Sequence, residues 1–346
     1  MTESQEFIDL RSELKTEISC VTRESFDNLA MKVFRFQARY NSVYADYLRY
    51  LHCDFDRVNT LHEIPFLPIS LFKSHEIVTG SRTKNERVFE SSGTTGSEAS
   101  RHYVGDTQLY EQLSARIFEG NYGPLKGFHI LALLPSYLER NNSSLVYMVQ
   151  HFMELSGSRF SGFFLDDFDA LNRRLAEIGR VADGRKVLLI GVTFALLDWV
   201  DYFEKSGGEG AGLPDMIVME TGGMKGRRKE MLRQEVHALL LEKLGMTAVH
   251  SEYGMTEMVS QAYAQENGIF RHSDSLKVMI RDMTDPFAFC AGGQTGGINV
   301  IDLGNLDSCS FLETSDIGRA DYKAGVFEVL GRLDNSDVRG CNLMYI

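Results

Sequence analysis

The chain has 346 residues, 43% of them hydrophobic and 24% charged, and its 36 Lys+Arg against 48 Asp+Glu give a formal net charge of −12. That is the composition of a globular protein with one large core or two domains, and an acidic balance without a basic stripe excludes nucleic acid, whose phosphates demand clustered Lys and Arg. No apolar run approaches the ~20 residues that span a bilayer. The opening Met1-Thr2-Glu3-Ser4-Gln5 is polar and acidic, unlike a signal peptide. Cys20, Cys53, Cys290, Cys309 and Cys341 form no CxxC pair and no metal-ligand spacing. Reduced thiols in a cytoplasmic protein are therefore expected.

Apolar groups at Phe26, Leu29, Ala30, Val33, Phe36, Tyr40, Val43, Tyr47 and Leu51 recur at helical spacing, so residues 26–51 are predicted to be helical. The aromatic stripe is the core face of that helix. Ile64-Pro65-Phe66-Leu67-Pro68 is extended, because proline excludes the helix at and before its own position. A short strand is expected over 87–90. Then comes Glu90-Ser91-Ser92-Gly93-Thr94-Thr95-Gly96-Ser97, where two glycines and five hydroxyl residues share one loop. Glycine permits close backbone approach and the hydroxyls donate, so such a loop can wrap a phosphate; the same residues also make an ordinary surface turn. No Gly-Lys-Ser/Thr follows, so this is not the P-loop of common NTPases.

Beyond a helix over 106–119, strands and helices alternate. The continuous apolar runs 128–134, 186–192 and 216–219 have the pattern of strands buried on both faces. Helices are expected over 143–155, 166–178, 193–204 and 227–244, with one more strand over 248–250. Residues 206–212 are a glycine-rich linker that lacks dinucleotide-fingerprint spacing. This alternation predicts an α/β body with a mostly parallel sheet. From residue 276 onward short strands (277–281, 297–302, 326–330) without a helix predict a small β subdomain. The expected division is a helical segment 1–62, an α/β body 63–275 and a β subdomain 276–346. His102 and His250 flank motif segments but are ordinary packing candidates. Lys225, Arg227 and Arg228 suit phosphate or an exposed helix start equally.

Ligands of open α/β sheets bind beyond the carboxyl ends of the strands. Four segments are expected at such ends: Thr221-Gly222-Gly223, Ser251-Glu252-Tyr253-Gly254-Met255-Thr256-Glu257, Thr314-Ser315-Asp316 and Gly331-Arg332-Leu333-Asp334. Together with Ser92-Gly93-Thr94-Thr95-Gly96, the last three resemble, in order and spacing, the core motifs of the adenylate-forming superfamily of acyl-CoA synthetases, adenylation domains and firefly luciferase. Leu134-Pro135-Ser136-Tyr137-Leu138-Glu139-Arg140, Ser143 to Met148, Thr221 to Arg227 and Arg339-Gly340-Cys341 bring the chain closer to the acyl-protein synthetase family, the LuxE component of bacterial fatty acid reductase. The resemblance covers essentially the full length. It implies the large adenylate-forming N-terminal-type body with mostly parallel sheets.

The resemblance also implies roles. Ser91, Ser92, Gly93, Thr94, Thr95 and Gly96 would hold the phosphates of ATP. Gly222, Gly223, Ser251, Glu252, Tyr253, Gly254 and Met255 would line the adenine pocket, with Tyr253 stacked on the ring. Thr256 would meet the α-phosphate and Glu257 would bind Mg²⁺. Asp316 would accept the ribose hydroxyls, and Arg332 would lie near ribose or phosphate. Cys341, five residues from the C-terminus, would carry the acyl group as a thioester, with Arg339 beside it and Gly340 letting the segment bend; by itself a terminal cysteine is as readily inert. The implied reaction joins a fatty acid to this thiol through acyl-AMP and delivers the acyl group to a reductase partner. The helix over 143–155 either borders an acyl tunnel or is simply core.

Two departures stand out. Members of the superfamily usually follow the phosphate loop with Pro-Lys or a nearby Lys, whereas here Ser97-Glu98-Ala99-Ser100-Arg101 follows, with Arg101 as the candidate substitute. The chain also stops soon after Gly331-Arg332-Leu333-Asp334, without the mobile lid domain of acyl-CoA synthetases, which argues against a free-standing CoA ligase. The alternatives are a phenylacetate-CoA-ligase-like enzyme that acylates CoA or another thiol, and a nucleotide-binding scaffold without turnover.

Overall fold

The structure is a computed structural model that describes residues 3–82, 86–91, 99–134, 142–181, 183–206, 215–222 and 231–333. The chain folds as two compact units, one of residues 1–84 with 271–346 and one of residues 85–270.

The first unit begins with three helices, α1 (Gln5–Ser19), α2 (Arg23–Tyr40) and α3 (Ser42–Tyr50). The predicted helix over 26–51 is thus two helices. Asn41 interrupts it with φ −100° and ψ 108°, and its side chain caps α3 by accepting from the Tyr44 N–H. An asparagine that can serve as an N-cap competes with helix continuation, and periodicity alone does not register that. Beyond α3, β1 (Leu67–Pro68) and a single turn, α4 (Leu71–Ser74), complete the N-terminal part.

The second unit opens with an antiparallel pair, β2 (Arg87–Glu90) and β3 (Arg101–Val104), whose register joins Glu90 to Arg101. The hydroxyl-rich segment connects these two strands. The chain continues through α5 (Thr107–Tyr122), capped by Asp106, then β4 (Phe128–Leu133), α6 (Ser144–Ser156), β5 (Gly162–Phe163), α7 (Phe168–Val181), β6 (Lys186–Gly191), α8 (Thr193–Lys205), β7 (Met216–Glu220), α9 (Arg233–Leu244), β8 (His250–Tyr253), β9 (Ala262–Ala264) and β10 (Ile269–Arg271). The sheet order is β10-β9-β8-β7-β6-β4-β5. Strands β5, β4, β6, β7 and β8 pair in parallel, and β9 turns back antiparallel on β8. All six residues of β4 are buried. This is the two-sided burial that its unbroken apolar run predicts, and the mixed α/β class is as expected.

The C-terminal strands return to the first unit: β11 (Leu276–Arg281), β12 (Thr295–Asp302), β13 (Phe311–Asp321) and β14 (Val326–Arg332) form an antiparallel meander, and β1 adds to β13 in parallel. The N-terminal helices and these strands, far apart in sequence, share one core. Gln37, fully buried, donates to the carbonyls of Asn305 (2.8 Å) and Leu306 (3.0 Å) and accepts from the Ser310 N–H (2.9 Å). Gln37→Leu strands those backbone groups. It is expected to lower stability by about 2–4 kcal/mol, read as a lower urea midpoint at unchanged m-value.

Candidate functional site

The Glu252–Glu257 segment begins inside the sheet. The strand expected over 248–250 is β8, His250–Tyr253, so Ser251, Glu252 and Tyr253 are strand residues rather than a loop beyond it. Pairing explains the shift, because β8 takes its register from β7 on one side (Glu220 opposite Ser251) and from β9 on the other (Tyr253 opposite Ala262). Ser251 is fully buried, its hydroxyl 3.3 Å from His237 Nε2. Tyr253 is 7% exposed and packs tilted on Phe270 at 5.8 Å. Gly254 is exposed, Met255 and Thr256 are half-buried, and Glu257 is buried again. The Met258 N–H bonds the Met255 carbonyl and closes this turn at 3.0 Å.

A residue the sequence leaves among packing candidates fixes the turn. His102 of β3, with no exposed surface, has Nδ1 2.8 Å from the Thr256 carbonyl oxygen. Burial pushes its pKa down to about 4. The ring is therefore neutral, and an Nδ1–H donates to Thr256. One strand flanking the hydroxyl-rich segment is thereby tied to the Thr256–Glu257 turn.

The second residue that the sequence leaves unmarked is Glu220, the last of β7 and 3% exposed in its side chain. Its carboxylate accepts from the Gly222 N–H (2.7 Å), Thr193 Oγ1 (3.2 Å) and Arg233 Nε (3.0 Å), with His237 Nε2 3.7 Å away. Burial raises its pKa, but His237, Arg233, Ser251 and the Gly222 N–H together hold it down at about 2. One carboxylate thus binds the turn after β7 to α8 and α9 and, through His237 and Ser251, to β8. The only sequence signal was a charge closing the otherwise apolar Met216-Ile217-Val218-Met219-Glu220. Gly222, at φ +74°, makes the turn that Glu220 holds, and the Thr221 hydroxyl beside it is buried without a hydrogen-bond partner among the described residues.

Glu252 behaves in the opposite sense. Burial, and then the charge of Glu220, raises its pKa to about 8. Its proton is held in the folded state well above the ordinary carboxyl range, so this group's contribution to folding is complete below about pH 4.5 and is lost as pH rises from there through 8. Glu252→Gln is expected to gain stability relative to wild type as pH is raised from 5 to 9, measured by chemical denaturation at each pH. His250, with its pKa lowered to about 4 by burial and then by the charge of His237, sits 3.3 Å from the Tyr122 hydroxyl as a packing residue.

Ser91 stands at the start of its segment. Its N–H bonds the Ser100 carbonyl (3.0 Å) and its Oγ accepts from the Ser100 N–H (2.9 Å). Arg101 begins β3 and is exposed. Ser92, Gly93, Thr94, Thr95, Gly96, Gly223, Lys225, Arg227, Arg228, residues 135–140, residues 207–212 and Cys341 lie outside the described residues.

In the other unit, Thr314-Ser315-Asp316 and Gly331-Arg332 do not follow their strands, as the sequence suggests, but lie within β13 and β14. The long β13 runs on because β12 and β14 pair along its flanks, with one register shift against each. Asp316 and Arg332 are paired across β13 and β14, with Nε 4.0 Å from Oδ1. Arg281, 6% exposed, supports this region by donating to the carbonyls of Ile298 (3.1 Å) and Thr314 (2.9 Å) and to Asn299 Oδ1 (2.9 Å). Its guanidinium fills the space where a Cβ on Gly297 would stand, 2.3 Å from Cζ, so this position requires glycine.

No group of three His, Cys, Asp or Glu side chains that could hold a metal ion occurs among the described residues. A single carboxylate beside an exposed turn, as at Glu257, suits Mg²⁺, which keeps waters and substrate phosphates as its other ligands. No helix among the described residues is long and apolar enough to cross a membrane.

Comparison with known proteins gives the lineage. The family model for the LuxE acyl-protein synthetases matches residues 16–345. A long-chain-fatty-acid–luciferin-component ligase of Aliivibrio fischeri is 23% identical over 338 residues, covering 93% of this chain and 88% of that protein. One of the same name from Vibrio harveyi is 24% identical over 309 residues, covering 83% and 78%. Among solved structures, 2-hydroxyisobutyryl-CoA ligase in complex with 2-HIB-AMP and CoA superposes with a TM-score of 0.70 at 13% identity, over 90% of this chain and 68% of that one. Apo MatB from Rhodopseudomonas palustris gives 0.50 at 15% identity, over 71% and 47%. These likenesses establish the adenylate-forming fold. With the family model matched over nearly its whole length, the chain belongs to the LuxE acyl-protein synthetase family and is a ligase.

Proposed function

We propose that the protein activates a fatty acid with ATP as an acyl-adenylate and transfers the acyl group to the Cys341 thiol, from which a reductase partner receives it. A carboxylate does not acylate thiols because oxide is too poor a leaving group. Attack of a carboxylate oxygen on the α-phosphorus expels pyrophosphate and leaves acyl-AMP. Attack of the Cys341 sulfur on the acyl carbon then breaks the acyl–phosphate bond, releases AMP and sheds the thiol proton. The protein's task in the first step is positioning and neutralising phosphate charge.

The observation that carries this reading is the turn beyond β8, where Gly254 is exposed, Met255 and Thr256 are half-buried, Glu257 is buried at its end, and His102 holds the Thr256 carbonyl at 2.8 Å. Thr256 would donate its hydroxyl to the α-phosphate, and Glu257 would hold Mg²⁺, which supplies positive charge against the phosphates when bound. Gly222, kept in place by Glu220, and the backbone of Ser251 to Met255 would line the adenine pocket, with Gly223 and the Tyr253 ring. Ser91 to Gly96 would wrap the departing phosphates. Asp316 would take the ribose hydroxyls and Arg332 the neighbouring ribose or phosphate oxygens. The names of the Aliivibrio and Vibrio relatives support a long-chain fatty acid as the substrate.

The test is exchange of labelled pyrophosphate into ATP with a panel of carboxylic acids. Exchange that requires both the acid and Mg²⁺ is the expected result. Absence of exchange with every acid contradicts the reading and leaves a nucleotide-binding scaffold.

A further inference from the structure

One face of the β8–β9 pair carries polar groups that the proposed chemistry does not use. Glu252 lies directly opposite Tyr263 in the antiparallel register. Gly254 and Gln261 lie one residue beyond the ends of these strands, and the Gln261 side chain reaches Met148 of α6, the helix whose Phe152 packs on Phe118 beside Tyr263. The surroundings are apolar rings: Tyr263 lies 5.9 Å from Phe118 and 5.4 Å from Tyr122, edge to face, and Phe118 packs on Phe152 at 5.1 Å.

Within that apolar setting, hydrogen-bonding capacity is left over. Tyr263 is 1% exposed and its hydroxyl has no hydrogen-bond partner among the described residues; Gln261 is 3% exposed and its carboxamide oxygen has none either. The Gln261 amide nitrogen meets only the Met148 sulfur, a weak acceptor. Glu252, 8% exposed, lays its carboxyl against Gly254, where a Cβ would stand 2.5 Å from its Oε1, so the missing side chain leaves this carboxyl room at the foot of the Gly254–Glu257 turn. Buried polar atoms are nearly always satisfied, and leaving one bare costs about 1–3 kcal/mol. Two bare atoms and a neutral carboxyl in this setting, beside the turn assigned to the reacting phosphate, call for an occupant that enters with the substrate.

The donor and acceptor pattern selects the occupant. Gln261 Oε1 accepts only, the Tyr263 hydroxyl donates or accepts, and the Glu252 carboxyl, protonated at neutral pH because burial raises it, offers a donor. A hydroxyl, with one donor and two acceptor lone pairs, satisfies all three, donating to Gln261 and accepting from Tyr263 and Glu252. A plain alkyl chain satisfies none, and a second carboxylate meets the bare Gln261 oxygen unfavourably.

Resting on the acyl-adenylate reading above, we infer that the acid this enzyme activates carries a hydroxyl group a few carbons from its carboxyl, read by Glu252, Gln261 and Tyr263. The test is pyrophosphate exchange with matched straight-chain acids, unsubstituted and hydroxylated at the α or β carbon, in wild type, Tyr263→Phe and Gln261→Leu. Wild type is expected to favour a hydroxy acid over its parent by at least about tenfold in kcat/KM, because a site built to bond a hydroxyl rejects the analogue that lacks it. Both variants are expected to bring that ratio towards one, chiefly by loss with the hydroxy acid. The ratio is taken within each variant, so partial unfolding, which lowers both rates alike, does not imitate the effect. Equal kcat/KM for the paired acids in wild type, or a preference that survives both substitutions, overturns the inference while leaving the ligase reading intact. No exchange with any acid overturns the ligase reading and this inference with it.

Discussion

Glu257→Gln is expected to lower acid-dependent pyrophosphate exchange by about 100-fold or more, with an unfolding free energy in urea within about 1 kcal/mol of wild type. The substitution keeps the size of a side chain that is 8% exposed, but removes its charge and turns one acceptor oxygen into an NH2 donor. A residue that only packs tolerates that exchange well. A carboxylate that holds Mg²⁺ against the phosphates does not, because the amide oxygen is a far poorer ligand for a hard dication. Raising Mg²⁺ is expected to recover part of the lost rate in the variant. Full activity at ordinary Mg²⁺ contradicts the role assigned to Glu257.

The second large effect is on folding. Glu220→Ala is expected to destabilise the protein by about 3–5 kcal/mol, because it leaves Arg233 and the Gly222 N–H without their buried acceptor. The same carboxylate sets an acid limb. Its pKa of about 2 when folded lies below the ordinary 4.5, so its contribution, roughly 3 kcal/mol, is complete above pH 4.5 and is lost as pH falls toward 2. Glu220→Gln is therefore expected to be less stable than wild type at pH 7 and to show a shallower loss of stability between pH 4.5 and 2. Parallel acid limbs in the two proteins contradict the stabilising role of the Glu220 network.

How much of this was legible in the sequence follows from the range of the forces concerned. The buried strands β4, β6 and β7 announce themselves by uninterrupted apolar runs, and α5, α6 and α8 by periodicity with a cap or breaker. Local chemistry is enough for these. The break at Asn41 was missed because its capping bond competes with a hydrophobic stripe that continues unchanged on either side. The positions of Ser251 and Asp316 within strands were missed because strand ends are set by partners far away in sequence: β9 for one, β12 and β14 for the other. His102 and Glu220 lay beyond reach for the same reason. His102 acts on Thr256 across 154 positions, and Glu220 gathers groups from α8, α9 and the turn after β7. Family motifs marked the Tyr253–Glu257 segment itself, but not the buried pair that holds it in place.

The measurement that bears most directly on the proposed reaction is the intact mass of the protein after incubation with MgATP and the acids of the panel, with Cys341→Ala treated alongside. Acyl transfer to Cys341 predicts an ATP-dependent, hydroxylamine-labile acyl adduct on wild type, none on Cys341→Ala, and pyrophosphate exchange preserved in both. An adduct of the same mass on Cys341→Ala, or exchange in wild type with no adduct on the protein, would place the acyl acceptor elsewhere and contradict the assignment of Cys341.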